Sequence, residues 1–261
     1  GQGETDHRGR RARRGAMRVL GVIPARYAST RLPGKPLADI CGKTLIQRVY
    51  ERAALSKTMD RLVVAADDMR VLEAVHSFGG KGLMTSPDHP NGTCRVAEAA
   101  EKEEGDLVIN IQGDEPLIDP IMIDEVVALL TGGDRPPSAT LCEPVEDPVA
   151  VSDPNSVKVV MDCSGRALYF SRSVIPYRRT AAKLLFYRHI GIYGFRRDFL
   201  FTYAGLPPTP LSEAESLEQL RVLEHGYIMK VGVTKGRSGP SVDTPEDLEA
   251  VRAMVRRLEG A

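Results

Sequence analysis

The sequence predicts an α/β fold: a doubly wound, mostly parallel sheet that carries an antiparallel insertion lobe. Two observations predict it. Through the first half of the chain, short apolar runs alternate with segments of helical period, the pattern of parallel strands covered by helices. In the second half, four strand-like segments follow one another with no helix between them, which predicts antiparallel pairing.

Taken in order, Arg18 to Ile23 reads as a buried strand that stops at Pro24, and a polar, Gly/Pro-punctuated loop runs on to Pro36. Leu45, Ile46, Val49 and Ala53 set a helix over 45–55, and 61–66 is a second buried strand. A helix over 69–78 stops at Gly79-Gly80, a brief strand covers 81–84, and 93–104 is helical up to Gly105. The run 107–112 is a third strong strand, followed by a helix over 120–130. The antiparallel segments are 138–146, 157–161, 167–170 and 187–195, so the lobe spans roughly residues 138–196. A helix over 212–225, a strand over 228–233 and a helix over 245–258 complete the chain. Thr244 caps this last helix, with Pro245 in its first turn. In doubly wound sheets ligands bind beyond the carboxyl ends of the strands. The loops after Ile23, Ala66 and Gln112 are therefore the first places to look.

Composition narrows the function classes. The 261 residues suit one domain, placed at 17–261, with an elaboration. Lys+Arg and Asp+Glu are both 35, a balance that argues against a dedicated nucleic-acid binder. Cys41, Cys94, Cys142 and Cys163 form no CxxC pair and read as reduced thiols of a cytoplasmic protein. No apolar run approaches the roughly 20 residues that span a bilayer, so no membrane insertion is expected. Residues 1–16 are polar and hold five arginines. They read as a disordered leader ahead of a start at Met17, with a nucleic-acid or membrane patch as the alternative.

Five segments carry chemistry. Just past the first strand, Arg26, Ser29, Thr30, Arg31 and Lys35 bring two guanidiniums, an ammonium and two hydroxyls around Gly34. Such a set can neutralise a multiply charged phosphate, though it also suits a solvated basic loop. It is not a Walker A loop, because no helix starts after Lys35. Gln112-Gly113-Asp114-Glu115 follows the third strand, where Asp114 can hold a hard cation such as Mg2+ or simply sit in an exposed turn. Asp243 reads first as part of a helix start, and as a metal ligand only if the fold brings it beside Asp114. On a strand, His189, Gly191 and Tyr193 share one polar face with a gap at Gly191. A sugar fits there, although a lone histidine is more often structural. Glu218 and Gln219 suit hydroxyl binding or a plain helix surface. No Gly-x-Ser-x-Gly elbow or His-Glu-x-x-His motif is present.

In order, the segments PARYASTRLPGKPL, NGTCRVAEAAE, VINIQGDEP, RHIGIYGFR, ESLEQLRVLEHG and SVDTPEDLEAVR resemble the 3-deoxy-manno-octulosonate (Kdo) cytidylyltransferases. The resemblance covers nearly everything from Met17 onward. It implies a nucleotide-diphospho-sugar transferase-like fold, a cytoplasmic homodimer, Mg2+ and a role in lipopolysaccharide synthesis. By position it assigns Arg26, Ser29, Arg31, Lys35 and Thr93 to CTP, with Thr93 near the cytosine. Asp114 and Asp243 are implied to hold magnesium, and Gln112, His189, Tyr193, Glu218 and Gln219 to meet the sugar acid. The implied reaction is in-line attack of the anomeric hydroxyl on the α-phosphate, with Lys35, Arg31, Asp114 and Asp243 catalytic. Two residues depart from the family pattern: Cys94 stands where a carboxylate is usual, and Ala66 where Thr is common. Both are expected at the lip of the ligand site. Other keto-deoxy acids, 8-amino-Kdo above all, and a non-catalytic nucleotide-sugar binding protein are the alternatives.

Overall fold

A computed structural model describes residues 17–180, 184–237 and 239–260. The leader 1–16 lies outside the described residues. The chain opens with β1 (Val19–Ala25), a two-stranded ribbon of β2 (Asp39–Ile40) and β3 (Lys43–Thr44), and α1 (Leu45–Ala53). Next come β4 (Arg61–Ala66), α2 (Met69–Ser77), β5 (Gly82–Met84), α3 (Gly92–Lys102), β6 (Leu107–Asn110) and α4 (Pro120–Thr131). The second half holds β7 (Ser138–Val145), α5 (Pro148–Ser152), β8 (Lys158–Met161), β9 (Ala167–Ser171) and β10 (Phe186–Arg196). It closes with α6 (Arg197–Ala204), α7 (Pro210–Glu215), α8 (Leu220–Glu224), β11 (Met229–Val233) and α9 (Pro245–Glu259).

The main sheet runs β11-β7-β10-β6-β1-β4-β5. β6, β1, β4 and β5 are parallel, as are β11 and β7, while β10 is antiparallel to both β6 and β7. Alternation along β1 divides its side chains between two cores. Val19, Ile23 and Ala25 join α1, α2, α4 and α9 on one face. Leu20 and Val22 join α3, α6 and α8 on the other. Helices on both faces make the sheet doubly wound, as the strand–helix alternation predicts.

Five features differ from the sequence expectation. A short helix, α5, stands between β7 and β8, where the sequence predicts none. The antiparallel strands form no separate sheet: β7 and β10 continue the main sheet, and only the β8–β9 hairpin projects from β10. β1 continues through Pro24, whose missing N–H costs nothing because β6 has already stopped pairing at Val22. The helix expected over 212–225 is broken at Ser216, which adopts a left-handed φ of 51°. There the Glu215 carboxylate is drawn to Ser171 Oγ and the Arg172 amide. Finally, α6 starts directly off the end of β10, with no loop signal to announce it.

Candidate active site

Two cavities adjoin beyond the carboxyl ends of β1 and β6. They share Pro24, Gly92, Gln112 and Asp114. The smaller, about 380 Å³, is lined by Arg26, Ser29, Thr30, Arg31, Lys35 and Asp243. The larger, about 420 Å³, takes in Thr93, His189, Gly191, Tyr193, Glu218 and Gln219. Every residue singled out from sequence as a site residue therefore lines one chamber or the other.

The basic loop is held in shape by its own backbone. Gly34 takes φ 67°, a left-handed conformation that favours glycine, and its amide donates to Tyr27 O at 3.2 Å. The Tyr27 amide donates to Asp67, which also pairs with the fully buried Arg95 at 3.2 Å. Arg26 donates to His89 O at 2.5 Å. Arg31 reaches Asp243 at 3.0 Å and its side chain stays 63% exposed, so a ligand can recruit it without a large desolvation cost.

Asp114 and Asp243 meet on one ammonium. Lys35 Nζ lies 2.9 Å from Asp114 and 3.0 Å from Asp243. Burial alone would lower the Lys35 pKa, but the two carboxylates outweigh it and raise it. Gly113 allows this meeting: a Cβ there would come within 2.7 Å of Pro24 O. Only glycine lets the turn after β6 lie so close to the end of β1. Val242 N then donates to Asp114 O at 2.8 Å, tying the two acidic segments together. The start of α9 does not consume Asp243. Thr244 and Asp247 form a capping box, which leaves the Asp243 carboxylate to Lys35 and Arg31.

The larger chamber has a different character. His189 and Tyr193 face it side by side, ring centroids 5.4 Å apart, with Gly191 open between them opposite Gln112. Burial pushes the His189 pKa down to about 3 and the Tyr193 phenol well above its usual range, so both are neutral. Thr93 lies in the first turn of α3; its hydroxyl donates to Glu218 at 3.4 Å, and it lines this larger chamber.

A family profile described as Cytidylyltransferase matches residues 20–231. The 3-deoxy-manno-octulosonate cytidylyltransferase of Syntrophotalea carbinolica is 51% identical over 93% of this chain and 100% of its own length. That of Solibacter usitatus is 49% identical over 92% and 95%. The chain belongs to the 3-deoxy-manno-octulosonate cytidylyltransferase family. The solved structure of CMP:2-keto-3-deoxy-manno-octonic acid synthetase complexed with CTP superimposes with a TM-score of 0.89 at 46% identity. It covers 92% of this chain and 99% of that one. A 4-diphosphocytidyl-2C-methyl-D-erythritol synthase from Anaerococcus prevotii shares the fold alone, with a TM-score of 0.61 and 12% identity.

Neither departure from the family pattern lines a chamber itself, although Cys94 lies between Thr93 and Arg95, which do. Ala66 ends β4 with its side chain fully buried in the core. Cys94 is half-buried, its thiol directed at Ala204 O of α6 at 3.8 Å. Sequence reasoning missed Asn110, which is only 3% exposed and whose Oδ1 has no hydrogen-bond partner among the described residues. It also missed Tyr203, which α6 supplies to the chamber wall. Asn110 precedes the Gln112-Gly113-Asp114 turn by two residues, a position on the same strand face as Gln112 that could have flagged it.

Proposed function

We propose that this nucleotidyltransferase moves the CMP group of CTP onto Kdo, giving CMP-Kdo and pyrophosphate. The observation that carries the reading is the junction at Asp114: a chamber that holds Arg26, Arg31 and Lys35 and a chamber that holds His189, Tyr193, Gln219 and the Glu218 carboxyl both open onto one carboxylate. CTP places its phosphates among Arg26, Ser29, Arg31 and Lys35, and Kdo lies against His189, Tyr193, Gln112, Glu218 and Gln219. The anomeric oxygen attacks the α-phosphorus in line. The new P–O bond forms as the bond to the β-phosphate breaks, the hydroxyl proton passes to water and pyrophosphate departs. Lys35 and Arg31 stabilise the leaving charge, and fixed positioning supplies much of the rest.

Asp114 and Asp243 suit Mg2+, which takes one or two protein carboxylates and completes its shell with phosphate oxygens and water. Among the described residues no group of three or more His, Cys, Asp or Glu side chains is gathered as a metal site, so Asp114 and Asp243 would hold the ion as a pair. When bound there, the ion would act as a Lewis acid toward phosphate and sugar oxygens. The family resemblance supports a homodimer, a cytoplasmic location and a place in lipopolysaccharide synthesis. No helix among the described residues is long and apolar enough to cross a membrane.

The test is pyrophosphate release with CTP, Kdo and Mg2+, run beside UTP, 8-amino-Kdo and sialic acid. Release that requires both CTP and Kdo supports the reading. Release with another sugar acid alone overturns the substrate, and none with any pair overturns the activity.

A further inference from the structure

We propose that Thr140 is a positioning residue that fixes His189 as its Nε2–H tautomer, so that Nδ1 presents a hydrogen-bond acceptor to a hydroxyl of the sugar acid. The proposal rests on the larger chamber being the sugar-acid side.

Thr140 is fully buried on β7, at the point where β10 breaks register. Ile190 pairs with Leu141, and the next pair is Tyr193 with Thr140, so Gly191 and Ile192 have no partner on β7. Such an irregularity leaves backbone groups outside the ladder. The Thr140 hydroxyl meets two of the carbonyls at this break, Ile192 O at 2.7 Å and Ile190 O at 3.2 Å. The same oxygen lies 2.9 Å from His189 Nε2.

A threonine hydroxyl has one proton and two lone pairs. Carbonyl oxygens only accept, so the proton goes to them, and the nearer one at 2.7 Å takes it. The contact with His189 is then a hydrogen bond only if Nε2 donates. A neutral imidazole carries a single N–H, and with that proton on Nε2 the lone pair is on Nδ1. The ring is kept in place by Phe170 edge-on at 5.0 Å and Tyr193 at 5.4 Å. Burial keeps it neutral in all but strong acid.

Two consequences follow for the chamber. Tyr193 keeps its phenolic proton, so neighbouring rings offer one acceptor and one donor, a pairing that matches vicinal hydroxyls. His189 also acts as a fixed reader and not as a proton carrier, because its one proton is committed to Thr140.

Heteronuclear NMR of the 15N-labelled, ligand-free protein reads the tautomer directly, with the His189 signals assigned by their loss in His189→Gln. The wild type is expected to show a protonated Nε2 and an unprotonated Nδ1, unchanged through mildly acidic pH. Thr140→Ser should keep both the tautomer and the KM for Kdo. Thr140→Val should lose the single tautomer and raise the KM for Kdo roughly 3- to 10-fold, with the KM for CTP unmoved. An Nδ1–H ring in the wild type overturns the proposal, and so does a Thr140→Val protein with unchanged tautomer and KM. If Thr140→Val fails to fold, Thr140→Ala is read by the same spectra and the same two KM values. The expected tautomer in a protein inactive with Kdo would sink the functional reading while supporting the tautomer assignment.

Discussion

The smaller chamber takes Arg26, Ser29, Arg31 and Lys35 from a single loop, whereas the larger gathers its groups from distant parts of the chain. His189 and Tyr193 come from β10, Gln112 from the turn after β6, Thr93 from α3, and Glu218 and Gln219 from the break between α7 and α8. Exposure varies within each chamber: the Lys35 side chain is 17% exposed against 63% for Arg31, and the Glu218 side chain is 48% exposed beside the buried Gln219. The difference in assembly follows from what is bound. A polyphosphate is recognised by charge, which acts over several ångströms and tolerates mobile partners. A sugar hydroxyl is recognised by short neutral hydrogen bonds, which reward only groups already desolvated and aimed.

The sharpest way to break this comparison is at the junction. Asp114→Ala should lower kcat roughly 10²- to 10³-fold with the fold intact by circular dichroism; a change within a few-fold would remove the junction from the mechanism. Next is the cationic side: Arg31→Ala should raise the KM for CTP roughly 10-fold or more, since charge-assisted contacts to phosphate are the strong ones. In the larger chamber, Tyr193→Phe should raise the KM for Kdo roughly 3- to 10-fold and leave that for CTP alone.

Acid sensitivity sharpens the contrast further. The folded His189 pKa, about 3, lies below the ordinary histidine value, so the unfolded chain binds a proton that the native chain refuses. The stability at stake is complete above the ordinary histidine pKa and is lost as pH falls from there toward about 3. Denaturant titrations across that window should show a shallower acid loss in His189→Gln. The smallest effect is expected at Cys94. Cys94→Ser should shift stability by no more than about 1 kcal/mol and leave both KM values unchanged, because the thiol faces Ala204 and not a chamber.

The same contrast decides what the sequence reveals. The basic loop is legible because its residues are contiguous, and they include Gly34, which takes a positive φ in the structure. β4 falls within the bounds its apolar run sets, Arg61–Ala66. The nearness of Asp243 to Asp114 is implied by the family resemblance but not by local spacing, because it depends on Gly113 admitting one loop against another and on a backbone bond from Val242. Asn110 reads simply as one more strand residue, since only the finished sheet shows that its Oδ1 lacks a partner among the described residues. Ser216 likewise carries no turn signal of its own; Glu215 ends the helix by bonding to β9 and the residue after it, a tertiary contact.

The division of labour between the chambers is tested most directly by crossed steady-state kinetics on Arg31→Ala and His189→Gln, with CTP and Kdo each varied at saturating partner. The expected result is crossed: Arg31→Ala raises the KM for CTP and lowers kcat while leaving the KM for Kdo in place, and His189→Gln raises the KM for Kdo and leaves that for CTP in place. Equal shifts of both constants in either variant would contradict two separate chambers meeting at Asp114.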